Sequence, residues 1–273
     1  MLKDNKTINK YGVINQNIVK RTLDKLTEEL FINGYTIIPE VLDKSQVQYY
    51  NKILDNVYEE QVAEFGKQEL STIKELNTAR CLLAYDESFI DLLILPVVVE
   101  FIKSILGNNY QLLLQNSTIS HPSEEHHQMA WHRDLPYQDY TVSRPIALNV
   151  YFCLSNYNKK TGSTIVLPFS HHLESLPSDD YINKFERSLD ARAGSIFIFN
   201  SFLYHRAGLN TSNIIRRGIN HIYSIPIIKQ QINLPSFLKG KYKDDPFLRK
   251  VLGYDWETPK SVLDWRNKRL KNK

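Results

Sequence analysis

Cysteine is nearly absent from this chain of 273 residues: Cys81 and Cys153 are the only two, both among apolar neighbours and neither in a CxxC spacing. That argues against a disulfide framework and a zinc knuckle, and suits a reducing compartment. An excess of one charge is missing too. The 34 Lys and Arg stand against 30 Asp and Glu, and a formal net charge of +4 is too small for the one-signed field of a dedicated nucleic-acid binder. Long hydrophobic runs are also lacking. The most apolar stretch, residues 89–106, is broken by Asp91, Pro96, Glu100 and Lys103, and the opening MLKDNKTINK has no apolar segment of a secretion signal. The expectation is a soluble, cytoplasmic protein with neither a nucleic-acid nor a membrane partner. There is no internal repeat and no Gly/Ser-rich linker, and the one biased segment is the basic end, residues 266–273, read as a solvated tail.

What is present is a large apolar and aromatic fraction, 42% and 11%, enough for one substantial core. The first third reads as helical. Residues 23–31 carry apolar side chains at helical spacing and stop at Asn33-Gly34, after which residues 35–38 read as a short strand ended by Pro39. Asp43 can cap a second helix with Gln46 three positions on, and Val47, Tyr50, Ile53, Leu54 and Val57 form its apolar stripe. A further helix is bounded by Pro96 and Gly107. Beyond Gly107 the pattern changes to β-branched and aromatic runs at residues 111–120, 146–154, 163–167, 195–199 and 221–227. Helices first and strands after predict an α+β fold with an antiparallel barrel or sandwich, not an alternating βαβ sheet. The expected organisation is a single domain over residues 1–273. Residues 1–107 form a helical layer with a first strand, 108–228 the core, and 229–273 a segment covering one end.

One stretch carries chemistry. In WHRDLPY, His132 and Asp134 lie two apart, so on an extended strand they share a face while Arg133 points away. A hydrogen-bonded pair on a strand has the same pattern; a metal site needs at least one more ligand. Of the eight histidines, His205 stands out. It follows the apolar run 194–200 and precedes a small-residue turn, in FNSFLYHRAG. Two histidines and a carboxylate on one face would leave three open positions on an octahedral ion, the arrangement of non-haem Fe(II) oxygenases. Arg216, eleven residues beyond His205 and past the turn at residues 210–213, offers a planar fork for a carboxylate, with Arg217 on the opposite face.

With these positions the chain resembles the phytanoyl-CoA dioxygenase family of Fe(II)/2-oxoglutarate oxygenases, which also holds ectoine hydroxylase. FINGYTIIPEVLD, GSTIVLPFSH and AGSIFIFNSFLYHRAG carry the likeness together with His132-x-Asp134, His205 and Arg216. It implies a double-stranded β-helix, the jelly-roll or cupin-like barrel, with flanking helices. It further implies iron held by His132, Asp134 and His205, and 2-oxoglutarate held by Arg216, with Gln115 as a further cosubstrate contact. Asn149 is assigned to the same cofactor region. The implied reaction consumes O2 and 2-oxoglutarate, releases succinate and CO2, and hydroxylates a C–H bond of a small molecule. Two departures stand out: Phe169 where the family has a glycine before Ser-His, and Ala207 where members often carry a hydroxyl residue. The retained Asp134 disfavours the halogenase variant.

For the substrate, Tyr137 and Gln138 follow the His-x-Asp strand and Arg206 follows His205, which points to a small, polar metabolite. Asn77 and Arg80 are further candidates from the helical layer. Two other readings stay open at this level. One is a non-catalytic metal-binding barrel serving as a binding or regulatory module. The other is a zinc- or manganese-dependent hydrolase or isomerase with no use for Arg216. The oligomeric state is not legible.

Overall fold

The computed structural model describes residues 21–125, 127–135 and 141–271. Helix α1, Thr22–Asn33, ends where Gly34 takes the left-handed conformation at φ +86°, and β1, Tyr35–Ile38, follows directly. Helix α2, Lys44–Phe65, begins with the capping box read from the sequence: the Asp43 carboxylate accepts from the Gln46 amide at 2.9 Å, and the Gln46 side chain accepts from the Asp43 amide at 2.9 Å. All five residues of its expected stripe are buried. Short helices α3, Lys67–Thr72, and α4, Asp91–Ile94, lead to α5, Pro96–Leu106, with proline in its first turn and Gly107 at its end.

Strands β2, Gln111–Ser120, β3, Ala147–Cys153, β6, Ile196–Asn200, and β8, Arg216–Ser224, join β1 in a five-stranded antiparallel sheet ordered β1-β6-β3-β8-β2. A smaller sheet, ordered β5-β4-β7, is built from β4, Thr164–Val166, β5, Arg187–Ser188, and β7, His205–Ala207. Helix α6, Asp179–Phe185, lies between β4 and β5 in the chain. After β8 come α7, Leu234–Phe237, α8, Pro246–Val251, and α9, Val262–Lys271.

The two faces of the large sheet bury different things. Leu148, Val150, Phe152, Ile196, Ile198 and Ile219 face outward and share one apolar cluster with α1, α2, α5 and the C-terminal Leu248, Val251 and Leu252. Each such fully buried side chain contributes about 1.5–3 kcal/mol of transfer free energy. The inward residues Tyr151, Cys153, Phe197 and Phe199 pack against Val166 and Leu203 from the small-sheet side. The architecture is therefore the expected α+β double-stranded β-helix with helices outside it, although the two sheets face one another without closing into a barrel. Both cysteines are free and buried. Among the described residues, no helix is long and apolar enough to cross a membrane.

One strand differs from expectation. The sequence predicts the last strand at residues 221–227, whereas β8 starts at Arg216. The run Arg216-Arg217-Gly218-Ile219-Asn220 lacks the β-branched and aromatic density of the later residues, although the opposite faces expected of Arg216 and Arg217 already belong to a strand. Pairing with both β2 and β3 holds it extended.

Candidate metal centre

Backbone pairing brings the two ends of the motif together. His132 and His205 sit opposite one another in an isolated antiparallel bridge, each amide donating to the other's carbonyl at 3.0 Å, and the Asp134 amide donates to the Ser201 carbonyl at 3.2 Å. Directly opposed residues place side chains on the same face, and the two imidazole centroids lie 4.4 Å apart. Alternation adds Asp134 to that face. Its carboxylate oxygens are 3.9 Å from His132 Nε2 and 3.6 Å from His205 Nε2.

Arg133 goes the other way. Its guanidinium donates to the Ser170 carbonyl at 3.2 Å and to that of Leu173, and lies 4.0 Å from the Tyr204 ring centroid. The residue between two donors thus fastens their segment to the turn after β4. That turn is the one in which Phe169 stands in the left-handed region at φ +66°.

The donor set fits a divalent metal. Two ligand atoms at about 2.0–2.2 Å from one ion are at most about 4.4 Å apart, and both nitrogen–carboxylate separations fall below that. The tautomers also fit. His132 Nδ1–H donates to the Ala130 carbonyl at 2.8 Å and His205 Nδ1–H to the Leu203 carbonyl at 2.9 Å, so each Nε2 carries its lone pair toward Asp134. Burial lowers the His205 pKa well below the usual histidine range and keeps the ring neutral. Among the described residues these three are the one group with metal-ligand geometry.

Asn149, fully buried on β3, donates its amide to Asp134 Oδ2 and, at 3.2 Å, to Asn220 Oδ1, while Ser201 Oγ donates to Asn149 Oδ1 at 2.7 Å. The sequence reading puts Asn149 on a strand beside the metal, among the cofactor contacts, and its amide meets the Asp134 carboxylate there. Ser201 and Asn220 had not been singled out; the signal for Asn220 was its two-residue step along β8 from Gly218 and Arg216, which puts all three on the inner face.

Arg216 opens β8 at 2% exposure, with the centre of its guanidinium 4.8 Å from the Tyr157 ring centroid. Nη1 donates to the Gly162 carbonyl, while Nε–H is buried without a partner. It lines the same cavity as His132, Asp134 and His205, with Tyr151 and Thr164 on the walls. An unpaired buried guanidinium N–H costs free energy until an acceptor arrives. Arg206 also lines this cavity, but its guanidinium is ion-paired with Glu186 at 2.9 Å and lies 5.2 Å from the Trp131 ring centroid. Arg217 points outward to Asp55, as alternation requires.

Gln115 does not reach the centre. It pairs across the ladder with His221 on the helix-facing side, where its Oε1 accepts from the Leu83 amide at 2.7 Å and its Nε2 lies 2.9 Å from His221 Nε2. The expected cosubstrate contact fails by strand parity: the neighbouring Asn116, opposite Asn220, is on the inner face. Asn77 lines a separate cavity with Lys74 and His121, and Arg80 is ion-paired with Glu75. Tyr137 and Gln138 lie outside the described residues.

Comparison with known proteins agrees with this geometry. An uncharacterised protein of Mycobacterium tuberculosis is 33% identical over 218 residues, covering 78% of this chain and 79% of that one. The dioxygenase af480 of Aspergillus fumigatus is 28% identical over 240 residues, 81% of this chain and 73% of its own. Among solved structures, EctD from S. alaskensis, with 2-oxoglutarate and 5-hydroxyectoine, superposes with a TM-score of 0.61 at 14% identity over 74% of this chain and 76% of that one. The α-ketoglutarate-dependent carbocyclase SnoK of nogalamycin biosynthesis gives 0.58 at 16% identity, over 74% and 84%. The family model for phytanoyl-CoA dioxygenase matches residues 32–218. Because that match runs through more than half of the chain, from the end of α1 into β8, the chain belongs to the phytanoyl-CoA dioxygenase family and is an Fe(II)- and 2-oxoglutarate-dependent dioxygenase.

Proposed function

We propose that His132, Asp134 and His205 are the iron ligands, that Arg216 takes the distal carboxylate of 2-oxoglutarate, and that the reaction is hydroxylation of a C–H bond in a small, polar metabolite by a chain working as one oxygenase domain. The observation that carries this reading is the meeting of two kinds of group in one cavity. Three metal donors have their lone pairs exposed, and a buried guanidinium has an N–H left to give.

When bound, the iron and 2-oxoglutarate supply the oxidising power for O2-dependent chemistry. The chain's own residues do the rest. The Ala130 and Leu203 carbonyls fix the two imidazoles in the ligating tautomer, and Asn149 fixes the carboxylate. Arg133 ties the ligand segment to the 170–173 turn. Phe199, with its ring centroid 4.9 Å from that of His205, screens the buried side of the site from water. A polar substrate is supported by Thr118, Gln128 and Asn220 on the cavity wall. The EctD structure, solved with 2-oxoglutarate and the small polar 5-hydroxyectoine, is consistent with that class.

The test is anaerobic titration of the Fe(II)-loaded protein with 2-oxoglutarate, following the visible metal-to-ligand charge-transfer band. Wild type should develop the band, His132→Ala, Asp134→Ala and His205→Ala should lose it, and Arg216→Ala should need far more cosubstrate. Absence of a band from iron-loaded wild type would refute the assignment. Full turnover by Arg216→Ala without 2-oxoglutarate would point to a metal-dependent hydrolase or isomerase.

A further inference from the structure

Strand β2 lies at an edge of the large sheet, and the segment at residues 79–81 runs along that edge. The Cys81 amide donates to the Gln115 carbonyl at 2.6 Å, the Ser117 amide donates to the Ala79 carbonyl at 2.7 Å, and Arg80 faces Asn116 in an isolated antiparallel bridge. Such a bridge puts both side chains on one face, with their Cα atoms about 4.5 Å apart. Asn116 is on the inner face opposite Asn220, so Arg80 is there too, while Ala79 and Cys81 join the apolar cluster outside. Arg80, Asn116 and Asn220 therefore form one row across the sheet. The row ends at the metal centre, because Asn220 receives the Asn149 amide that also holds Asp134. Two strand spacings make it about 10 Å long.

The far end of this row has hydrogen bonds left to give. Arg80 spends one edge of its guanidinium inside the chain, where Nε donates to Glu75 Oε2 at 2.7 Å and Nη2 to Oε1. Among the described residues nothing accepts from Nη1, and the Asn116 side-chain amide has no partner. Arg80 is also accessible, its side chain being 34% exposed. Both residues line a cavity of about 300 Å³, in which Leu114 and Ile232 supply apolar surface. That is the size of a small-ligand pocket. His127 stands within electrostatic reach of His132, Glu75 and Arg80 alike, which places the ion pair beside the exposed side of the metal centre.

We propose that Arg80 and Asn116 are specificity residues of the substrate site and take a carboxylate of the substrate. The substrate is then a small organic acid, oxidised at a carbon about 10 Å from that carboxylate. This rests on the reading of the metal centre given above. A planar guanidinium can serve two carboxylates at once, one on each edge, and Glu75 occupies the edge that turns the other toward the cavity. The Asn116 amide adds a neutral donor beside it. A primary amide of the same shape as the acid would forfeit the charge-assisted bond.

The experiment loads the protein with Mn(II) and 2-oxoglutarate in the absence of O2, with the cosubstrate affinity checked by calorimetry. The straight-chain ω-hydroxy acids from 4-hydroxybutanoate to 8-hydroxyoctanoate are then titrated, each beside its primary amide, by proton NMR, in which the paramagnetic ion broadens whatever lies near it. The acid whose extended length matches the row should bind about tenfold or more tighter than its amide, with the hydroxyl end broadened more than the carboxylate end. Arg80→Gln and Asn116→Asp should each abolish this preference by weakening the acid alone, while the affinities for the amide and for 2-oxoglutarate stay as in wild type. Equal binding of acid and amide, no saturable binding of any acid, a carboxylate end broadened more than the hydroxyl end, or a preference that survives in either variant would overturn the inference and leave the metal centre as read. Wild type that fails to bind 2-oxoglutarate would overturn the oxygenase reading, and this inference with it.

Discussion

Replacing Asn149 by alanine separates the support of the metal centre from its ligands. Asn149 is fully buried, its amide nitrogen on Asp134 Oδ2 and Asn220 Oδ1 and its oxygen on Ser201 Oγ. Truncation leaves Ser201 Oγ–H, at 0% exposure, with no acceptor, whereas Asn220 and Asp134 are partly exposed and can turn to cavity water. One buried orphan costs about 1–3 kcal/mol and the small void adds to it, so a loss of roughly 2–3 kcal/mol in urea denaturation is expected. The effect on the site is separate. An Asp134 carboxylate without its donor is free to rotate, and removal of such an outer hydrogen bond typically lowers metal affinity by about 10- to 100-fold. Mn(II) titration followed by electron paramagnetic resonance reads this directly. Ser201→Ala is the control: it leaves Asn149 Oδ1 buried without its donor, at about 1–3 kcal/mol, but keeps the bond to Asp134, so its metal affinity should change little. A folded Asn149→Ala protein that binds Mn(II) as tightly as wild type would refute the claim that this amide orients the carboxylate.

Two further outcomes follow from burial and backbone geometry. Burial pushes His221 down to about 3, from the ordinary value near 6.5, so between those values the unfolded chain binds a proton that the folded one refuses. Its contribution therefore favours the folded state fully above about pH 6.5 and is lost as pH falls, by about 2 kcal/mol at pH 5. Urea midpoints at pH 7.5 and 5.0 should differ less in His221→Gln than in wild type, and identical differences would reject the assignment. Gly34→Ala should destabilise by roughly 2–4 kcal/mol, since the residue sits at φ +86° and its Cβ would lie 2.5 Å from His171 Nδ1 and 2.6 Å from Leu203 Cδ1. A denaturation midpoint within error of wild type would refute this.

The parts of the fold that local chemistry decides were legible in the sequence. The Asp43–Gln46 box, the stop at Gly34, and Pro96 and Gly107 around α5 each act within a few residues, and each stands where the pattern put it. The metal donors were legible for a similar reason: His132 and Asp134 share a face by period alone, and the apolar run before His205 marks a buried strand. What failed needed a partner strand. Strands β5 and β7, with two and three residues, are too short to show a period, and helix α6 carries only Ile182 to the core. The correct side of Gln115 depends on its pairing with His221. The role of Asn149 depends on Asp134, fifteen residues away in the chain, being brought next to it.

Register parity is what makes adjacent, chemically identical residues do different work. Arg216 is buried in the cavity, while Arg217 meets Asp55 of α2 across a partly exposed ion pair, with side chains 21% and 41% exposed, of a kind worth about 1 kcal/mol or less. A slip of one residue in β8 would exchange them: Arg217 would face the metal, Arg216 would face the helices, and Asn220 would leave Asn149. Such a slip is opposed on both edges at once, because β8 is paired with β2 from Arg216 to Ser224 and with β3 from Gly218 to Ser224. The one irregularity in the β2 pairing, between Leu112 and Leu114, lies at the far end of the strand from Arg216. A bulge there absorbs a local mismatch without moving the register at the cavity. The cost of the wrong register is then the charge of Arg216 and the amide of Asn220 turned toward the apolar cluster outside the sheet and Ile219 turned into the cavity, so the packing of the helical layer against Ile219 is itself part of what aims Arg216 at the metal centre.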